Sequence, residues 1–301
     1  MEVDQKSQVD QISQLDTPKS DSEIRQVWRH LRKNRMAMIG LAILLIFLIT
    51  SIFAPYLTPH DPVKLDLINA VQPPSSENLM GTDWQGRDVF SRILHGGRIS
   101  LAIGFITVII GLGVGIPVGT LSGYFGGKLD LFVQRLIDIM LAFPGILLAI
   151  VVVAILGVGV EQVMIAVGIS TIPIYTRLVR GSVLSVKEEG YITAAKGLGI
   201  GDARIVVRHI LPNCLGPIIV MSTFRIATSI LWAAGLGFLG LGAQPPDPEW
   251  GAMLSRGREY MRAAPYLTTF PGMAIFLLVL GFNLIGDGLR DALDPRSRRY
   301  G

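Results

Sequence analysis

The residue types that usually carry catalysis occur in this 301-residue sequence without the spacing that catalysis needs. No two histidines stand four residues apart, as they do on a metal-binding helix, and neither HExxH nor CxxC occurs. The only Gly-Lys pair, Gly127 and Lys128, has Ser122 where a phosphate-binding loop needs its first glycine. There is no GxSxG nucleophile motif. We therefore expect no catalytic residue, no metal site and no ATP hydrolysis in this chain. The histidines are His30, His60, His95 and His209.

One ionisable residue, Arg225, interrupts an otherwise apolar run over residues 214–242. Placing an arginine near the centre of a membrane helix costs about 2.5 to 3.5 kcal/mol on insertion scales, so its presence needs a reason. Two reasons stay open. Arg225 could line a water-filled translocation path and meet a substrate carboxylate, or it could pair with a neighbouring helix or subunit.

The stretch TAAKGLGIGDARIVVRHILP, residues 193–212, is typical of two short helices joined by glycines. The first helix is predicted over residues 187–196, where the small side chains of Ala194 and Ala195 allow another protein to come close. Asp202 is a favourable N-cap for the second helix, which Pro212 should end. The stretch therefore predicts an angled pair of helices that another protein can grip. The intervening glycines are Gly197, Gly199 and Gly201.

The elements that position these residues are predicted to lie in a membrane. Half of the residues are hydrophobic, 17% are charged, and the mean hydropathy is +0.50. Because a span needs about 20 apolar residues, the sequence predicts an all-α membrane protein with six transmembrane helices. None of the six runs contains an acidic residue. The runs are residues 36–54, 99–122, 139–160, 162–176, 214–242 and 263–286.

The distribution of lysine and arginine predicts the orientation of these spans. Basic residues are concentrated in the N-terminal segment, in every second loop and at the C-terminus, and basic residues near span ends are retained in the cytoplasm. We therefore expect both termini and the 193–212 stretch to be cytoplasmic. The net charge of +4 follows from this bias and does not indicate a nucleic-acid partner.

Two further patterns concern helix packing. Gly111, Gly115, Gly119 and Gly123 repeat every fourth residue and should form one helix face that a neighbouring backbone can approach closely. Pro117 and Pro144 should kink their helices. In addition, residues 243–265 mix apolar and polar positions, which predicts an amphipathic helix resting on the outer membrane surface or on a partner.

These patterns divide the chain into segments with different predicted roles. The polar N-terminal segment lacks apolar periodicity and should be disordered. The helix after it should lie on membrane lipid headgroups, or it is simply the basic flank of the first span. The segments are a tail (1–22), an interfacial helix (23–35), a first transmembrane helix (36–54), an external loop (55–98), a core domain (99–290) and a cytoplasmic C-terminal tail (291–301).

The 193–212 stretch resembles the cytoplasmic EAA loop of ATP-binding-cassette importer permeases, which has the form EAA, three residues, G, nine residues, I, one residue, LP. On that spacing Thr193 and His209 depart from the family pattern, since they stand where it has glutamate and isoleucine. Glu188 and Glu189 lie just upstream of the departing threonine. The residues aligned with the defined positions of the pattern, including the two departures, are Thr193, Ala194, Ala195, Gly199, His209, Leu211 and Pro212.

Further blocks place the resemblance in the dipeptide, oligopeptide and nickel permease family, specifically its C-type subunit, over about residues 25–296. These blocks are GTDWQGRDVFSRILHGGRISL, AFPGILLAIVVVAILG, GFLGLGAQPPDPEWGAML and GDGLRDALDPR. The resemblance implies the type I importer permease fold. It also implies that residues 187–212, named here the coupling loop, carry a coupling helix that docks in a cleft of a cytoplasmic ATPase through Glu189, Asp202 and the EAA positions.

The resemblance further implies partners and a location. The partners are a B-type permease subunit, two ATPase subunits that bind ATP and magnesium, and an external solute-binding protein, all at the cell membrane of a prokaryote. The external blocks GTDWQGRD and PPDPEWGAML would face the binding protein or the sister subunit, or would simply pack the outer ends of the spans. Short peptides are the implied substrate, with glutathione, nickel complexes and other small solutes as alternatives.

Two other classes of protein share the membrane composition. A secondary transporter driven by an ion gradient usually carries acidic ion ligands within its spans, and the six predicted runs have none. A membrane receptor or scaffold would account for the external loops but not for the coupling loop.

Overall fold

A computed structural model describes residues 23–293, and these form a helical body. The predicted tail over residues 1–22, and residues 294–301 of the predicted C-terminal tail, lie outside the described residues. The helices are α1 (Glu23–Lys33), α2 (Arg35–Ile52), α3 (Ala54–Leu57), α4 (Val89–Phe125), α5 (Gly127–Ala142), α6 (Gly145–Leu156), α7 (Val160–Lys187), α8 (Gly190–Gly197), α9 (Asp202–Ile205), α10 (Leu211–Phe238), α11 (Trp250–Gly257) and α12 (Tyr266–Leu293).

The prediction of an all-α protein with membrane-spanning helices is confirmed. Within residues 23–293, five helices are long and apolar enough to cross a membrane, and a bent pair makes six if it counts as one span. Several spans extend beyond the predicted runs. For example, α4 has 37 residues and begins at Val89, so the last ten residues of the predicted external loop are helical.

The third span differs from its prediction. The prediction of a single kinked helix over residues 139–160 was wrong, because two helices, α5 and α6, meet there at an angle of 91°. Phe143, the residue before Pro144, is extended with ψ of 134°, since a following proline disfavours helical geometry. Pro144 itself is non-helical and precedes α6. Pro144 therefore separates two helices, whereas Pro117 lies within a continuous α4.

The glycine face of α4 packs against α7 as the sequence predicted. A Cβ added at Gly115 would lie 2.5 Å from the Cβ of Tyr175, and one at Gly119 would lie 2.6 Å from the carbonyl oxygen of Thr176. Such distances are shorter than real Cβ contacts, so only glycine permits this approach. Helices α4 and α7 consequently form a closely packed pair at the centre of the body.

Helix α12 joins the first span to this centre. A Cβ at Gly40 of α2 would lie 2.8 Å from the carbonyl oxygen of Gly281, and one at Gly286 would lie 2.8 Å from the ring of Phe224 on α10. At one end of the body, Leu31 of α1 is buried and lies close to Gly288. Helix α1 therefore packs on the last turns of α12 and ends at Lys33, earlier than the predicted 23–35 helix.

The connection into α10 corrects a second prediction, that Pro212 ends a helix. Residues 202–238 form one continuous span, in which a π turn (Val206–Ile210) joins α9 to α10. The Leu211 amide donates to the Val206 carbonyl five residues back, and Pro212 lies at the start of α10. A proline is tolerated there because the wider turn and the helix start do not require its missing N–H.

Candidate functional site

The coupling loop forms a compact projection at one end of the helical body. Helix α7 ends at Lys187, α8 follows after Glu189, and a turn at Gly199 leads to α9. Gly199 has φ of +74°, a left-handed conformation that favours glycine. The first predicted short helix is present as α8, beginning at Gly190 instead of residue 187, whereas the second continues from α9 into the span of α10. The glycine of the EAA pattern makes the turn between them.

The coupling loop has two different faces. Of the five predicted coupling residues between Glu189 and Gly199, four are exposed and form the outer face, together with Leu198, which is 81% exposed. Ala195 instead lies on the inner face with 7% exposure, where it joins the buried Ile192 and Ile205. The two alanines therefore do different things, since only Ala194 is available to another protein. The four exposed residues of this stretch are Glu189, Thr193, Ala194 and Gly199, and Asp202 and Pro212 are exposed beyond it.

Asp202 does not have the capping role predicted for it. Gly201 is the N-cap of α9, and the Asp202 carboxylate instead accepts a hydrogen bond of 2.5 Å from the Tyr124 hydroxyl at the end of α4. Sequence reasoning did not identify Tyr124 as part of this site. The available signal was its position, directly after Gly123, at the end of the glycine face.

The remaining predicted coupling residues lie where α9 passes into α10. His209 is half-buried in the π turn, and its backbone carbonyl accepts a 2.6 Å hydrogen bond from the Asn213 side-chain amide. Leu211 is half-buried and Pro212 is exposed. The structure thus gathers the predicted coupling residues at one end of the body, on a projection continuous with a membrane span.

Ion pairs connect α5 to α7 near this end, and they modify the prediction that the spans lack acids. Arg180 donates two hydrogen bonds of 2.6 Å to Asp130, which also accepts one from Ser122. Asp138 and Arg177 pair at 2.8 Å and are about half-exposed. Both acids belong to the bent third span, ahead of the predicted 139–160 run. Each is held by an arginine, so neither is an unoccupied ion ligand.

Arg225 lies on α10, 13 residues beyond Pro212 and therefore about 20 Å along the helix from it. Its Nε atom is buried and has no hydrogen-bond partner among residues 23–293. One turn earlier, Ser222 accepts a 3.1 Å hydrogen bond from the Tyr175 hydroxyl. No acidic partner holds Arg225 within the described chain, which leaves the guanidinium available for a group from elsewhere.

A cavity of about 580 Å³ opens between α7 and α10 on the side toward the coupling loop. Polar side chains line part of it, although most of its lining surface is apolar. Arg225 is not one of the lining residues. The polar lining residues are Arg177, Ser182, Ser185 and Asn213.

The charged side chains of the external block GTDWQGRD form hydrogen bonds within the chain. Asp83 and Arg87 are each 2% exposed and pair at 2.7 Å. Arg92 is 3% exposed and donates to the carbonyls of Pro62 and Pro246. These contacts favour the interpretation that the block packs the outer ends of the spans.

The 243–265 segment also differs from its prediction. Its helix is α11, and Trp250 is fully buried, donating a 3.0 Å hydrogen bond to the Ile93 carbonyl of α4. Met253 is 5% exposed in the same core cluster. The apolar face of α11 therefore packs on this chain and not on a membrane surface or a partner.

Glu249 is an acid buried at the start of α11, where its carboxylate accepts hydrogen bonds of 2.8 Å from the amides of Gly251 and Ala252. Burial raises the pKa of the Glu249 carboxyl from 4.5 to about 7, although the two amide bonds oppose the shift. Between pH 4.5 and about 7, the Glu249 carboxyl of the folded protein therefore keeps a proton that the same carboxyl releases in the unfolded chain. Its contribution to stability is present below pH 4.5 and is lost as the pH rises through about 7.

We predict that Glu249→Gln removes this pH dependence. The melting temperature of the variant relative to the parent should rise between pH 5 and pH 8, by an amount corresponding to on the order of 3 kcal/mol. Thermal unfolding of the detergent-solubilised protein across that range measures the effect. Glu77→Gln, at an exposed position, is the control. A parallel pH response in parent and Glu249→Gln would contradict the prediction.

Comparison with family models gives two matches. The model described as "Binding-protein-dependent transport system inner membrane component" matches residues 115–299, which include the coupling loop and Arg225. The model described as "N-terminal TM domain of oligopeptide transport permease C" matches residues 22–74. Together the two matches extend over most of the described helices.

Similar proteins have named transport roles. The dipeptide transport system permease protein DppC of Alkalihalophilus pseudofirmus is 50% identical over 274 residues, which cover 91% of this chain and 90% of that protein. The glutathione transport system permease protein GsiD of Escherichia coli is 49% identical, with the same coverage of both chains.

Solved structures support the fold. A chain of the inward-facing MetNI methionine ABC transporter superposes with a TM-score of 0.57 at 22% identity, covering 68% of this chain and 97% of that one. A chain of an amino acid ABC transporter crystallised with histidines gives a TM-score of 0.53 at 15% identity, covering 70% and 94%. At these identities the likeness concerns the arrangement of helices.

Proposed function

The chain belongs to the family of binding-protein-dependent transport system inner membrane components, and we propose that it serves an ATP-binding-cassette importer of short peptides. The observation that carries the substrate class is the near-equal similarity to two permeases named for peptide cargo, a dipeptide and glutathione. A solute with a peptide backbone and a free carboxylate is common to both. Glutathione itself, nickel complexes and other small solutes are the alternatives.

Coupling to ATP hydrolysis is proposed to occur at the outer face of the coupling loop. This face is exposed although it belongs to a projection whose inner face is packed, which is the arrangement expected of a docking surface. Two ATPase subunits, carrying ATP and magnesium, would bind there. A B-type permease would complete the membrane pair, and an external binding protein would deliver the solute.

The proposed orientation places both termini and the coupling loop in the cytoplasm. Two observations support it. Helix α1, rich in arginine, packs on the C-terminal turns of α12, so the two ends of the described chain lie on one side. The coupling loop contacts the C-terminal end of α4, and the N-terminal end of that helix directly follows the GTDWQGRD block. Basic residues are retained on the cytoplasmic side of membranes.

The peptide assignment can be tested by uptake of a labelled dipeptide in cells with and without this chain. We expect uptake to require the chain and to be competed by excess unlabelled dipeptide more strongly than by excess glutathione. Stronger competition by glutathione would favour the glutathione alternative. Uptake that does not require the chain would contradict peptide import.

Arg225 is proposed to meet the substrate carboxylate on the translocation path, because it is a half-buried cation without an acidic partner in the described chain. Arg225→Gln should reduce uptake of a dipeptide by about tenfold or more, because a hydrogen bond to a charged group contributes about 1.5 to 3 kcal/mol of binding free energy. Uptake of the same dipeptide with an amidated C-terminus should change little. Equal losses for both solutes would indicate that Arg225 is structural.

A further inference from the structure

Tyr124 lies in the last turn of α4 and is 4% exposed. Its hydroxyl donates a 2.5 Å hydrogen bond to Asp202, and its backbone carbonyl accepts a 2.6 Å hydrogen bond from the Lys187 ammonium. The ammonium groups of Lys187 and Lys196 lie 5.6 and 5.2 Å from the centroid of its ring, within the range of cation–π attraction.

These three partners belong to three different parts of the coupling loop. Lys187 is the last residue of α7, Lys196 is in α8 and Asp202 begins α9. One tyrosine side chain therefore holds the loop at its entry, on its first helix and on its second. Polar contacts from three segments to one residue fix the orientation of the loop relative to α4 more closely than a single contact would.

Apolar packing places Tyr124 against the inner face of the same loop. Tyr124 shares a buried cluster with Ile192 and Ala195 of α8 and Ile205 of α9. The cluster continues into the membrane helices through Val179 of α7 and further residues of α7 and α10. Well-packed clusters of this kind transmit displacements because they have little free volume.

Tyr124 also adjoins the closely packed α4–α7 pair, because it lies at the end of the glycine face of α4. At Gly119 a Cβ would come within 2.6 Å of the Thr176 carbonyl, and at Gly123 within 3.0 Å of the Arg180 carbonyl, so the two backbones are in contact down to the turn that contains Tyr124. A force applied at Tyr124 therefore acts on both helices together and not on α4 alone.

We propose that Tyr124 is a positioning residue that transmits movement of the coupling loop to the α4–α7 pair, through the hydrogen bond from its hydroxyl to Asp202. This inference rests on the proposed function, because it presumes that an ATPase moves the loop. Coupling between two sites needs a physical connection with a defined energy, and here the connection is a bond between a buried hydroxyl and a charged carboxylate. Tyr124 lies outside the EAA pattern, which begins at Thr193.

The hydroxyl can be removed without removing the packing. Tyr124→Phe retains the ring, its place in the buried cluster and its cation–π contacts, and it leaves the backbone carbonyl to Lys187. Only the bond to Asp202 is lost. Asp202→Asn removes the charge from the other partner, and the double variant tests whether both act through the same bond.

The complete transporter, with ATPases and binding protein, is to be reconstituted in proteoliposomes. Three quantities are measured: ATPase co-purification, ATP hydrolysis, and solute transported per ATP hydrolysed. Tyr124→Phe should retain co-purification and hydrolysis but lower the solute transported per ATP by at least about fivefold. Asp202→Asn should likewise lower the solute transported per ATP, and the double variant should lower this ratio no further than either single variant. Tyr56→Phe, at an 86% exposed tyrosine remote from the loop, is the matched control.

Two results would overturn the proposal. One is an unchanged transport-to-hydrolysis ratio in Tyr124→Phe. The other is loss of ATPase co-purification together with a lower melting temperature in both single variants, which would make the bond a structural element only. Failure of the proposed function is distinguishable from either result, because then the parent chain itself would not co-purify with ATPases.

Discussion

Gly115→Val is expected to destabilise the protein by about 3 kcal/mol or more, at the upper end of the cost of inserting atoms into a packed core. Its Cβ would lie 2.5 Å from the Cβ of Tyr175 and 3.1 Å from the backbone nitrogen of Thr176. One of these neighbours is backbone, so relief requires the α4 and α7 helices to separate. That separation would open the central pair of the fold. The melting temperature and the yield of monodisperse protein in detergent measure the loss.

Gly113→Val is the matched control for this prediction. Gly113 lies on the same helix two residues earlier, is exposed, and has no atom within 4 Å of an added Cβ. It experiences the same change in helix propensity without the clash. The melting temperature of Gly113→Val should therefore stay close to that of the parent. Equal destabilisation by the two substitutions would mean that the glycine face does not set the approach of α4 and α7.

Ala194→Trp is expected to abolish ATP-driven uptake while the chain still folds and inserts. Ala194 is exposed on the outer face of the coupling loop, so the indole would project into the space that the ATPase is proposed to fill. Overpacking at a docking surface costs affinity, and a loss of at least about 1.4 kcal/mol lowers binding tenfold. ATPase co-purification with the membrane subunits should fall by about tenfold or more.

The control for this variant is Ala42→Trp, an exposed position on α2 away from the coupling loop. It should leave co-purification unchanged. Ala195 is unsuitable as a probe of docking, since its side chain is buried against the chain's own core and a large substituent would disturb folding. Normal co-purification of Ala194→Trp would contradict the assignment of the outer face.

The sequence was sufficient to predict most of the spans and the first short helix of the coupling loop. Apolar runs and glycine spacing are local properties, and they indicated the five spans, or six with the bent pair, and the face of α4 that packs closely. The turn at Gly199 followed from the residue type. These features depend on the chain's composition and periodicity and on little else.

The directions of helices and the faces on which side chains lie were harder to predict, because both depend on tertiary contacts. Pro144 indicated an interruption, but the 91° angle between α5 and α6 depends on what α6 packs against. Pro212 was predicted to end a helix, yet a π turn carries the chain through it. Ala194 and Ala195 are adjacent and chemically identical, so only the buried cluster with Ile192 distinguishes their roles.

Polar partners were the least predictable part of the site. Asp202 has the residue type and position of an N-cap, but a tyrosine 78 positions away competes successfully for its carboxylate. Asp130 and Asp138 preceded the apolar run and were therefore not assigned to a span, although arginines of α7 hold both in the bent third span. Long-range pairing of this kind leaves no periodic signal in a single sequence.

The central claim is that ATP hydrolysis by partner subunits, and not an ion gradient, drives import through this chain. The most direct test is to measure, in whole cells, the part of dipeptide uptake that depends on this chain. It is measured once after ATP depletion and once after collapse of the proton gradient with ATP maintained. We predict that ATP depletion stops uptake and that collapse of the gradient alone leaves it largely intact. Uptake that persists without ATP but stops when the gradient collapses would contradict the claim and identify a secondary transporter.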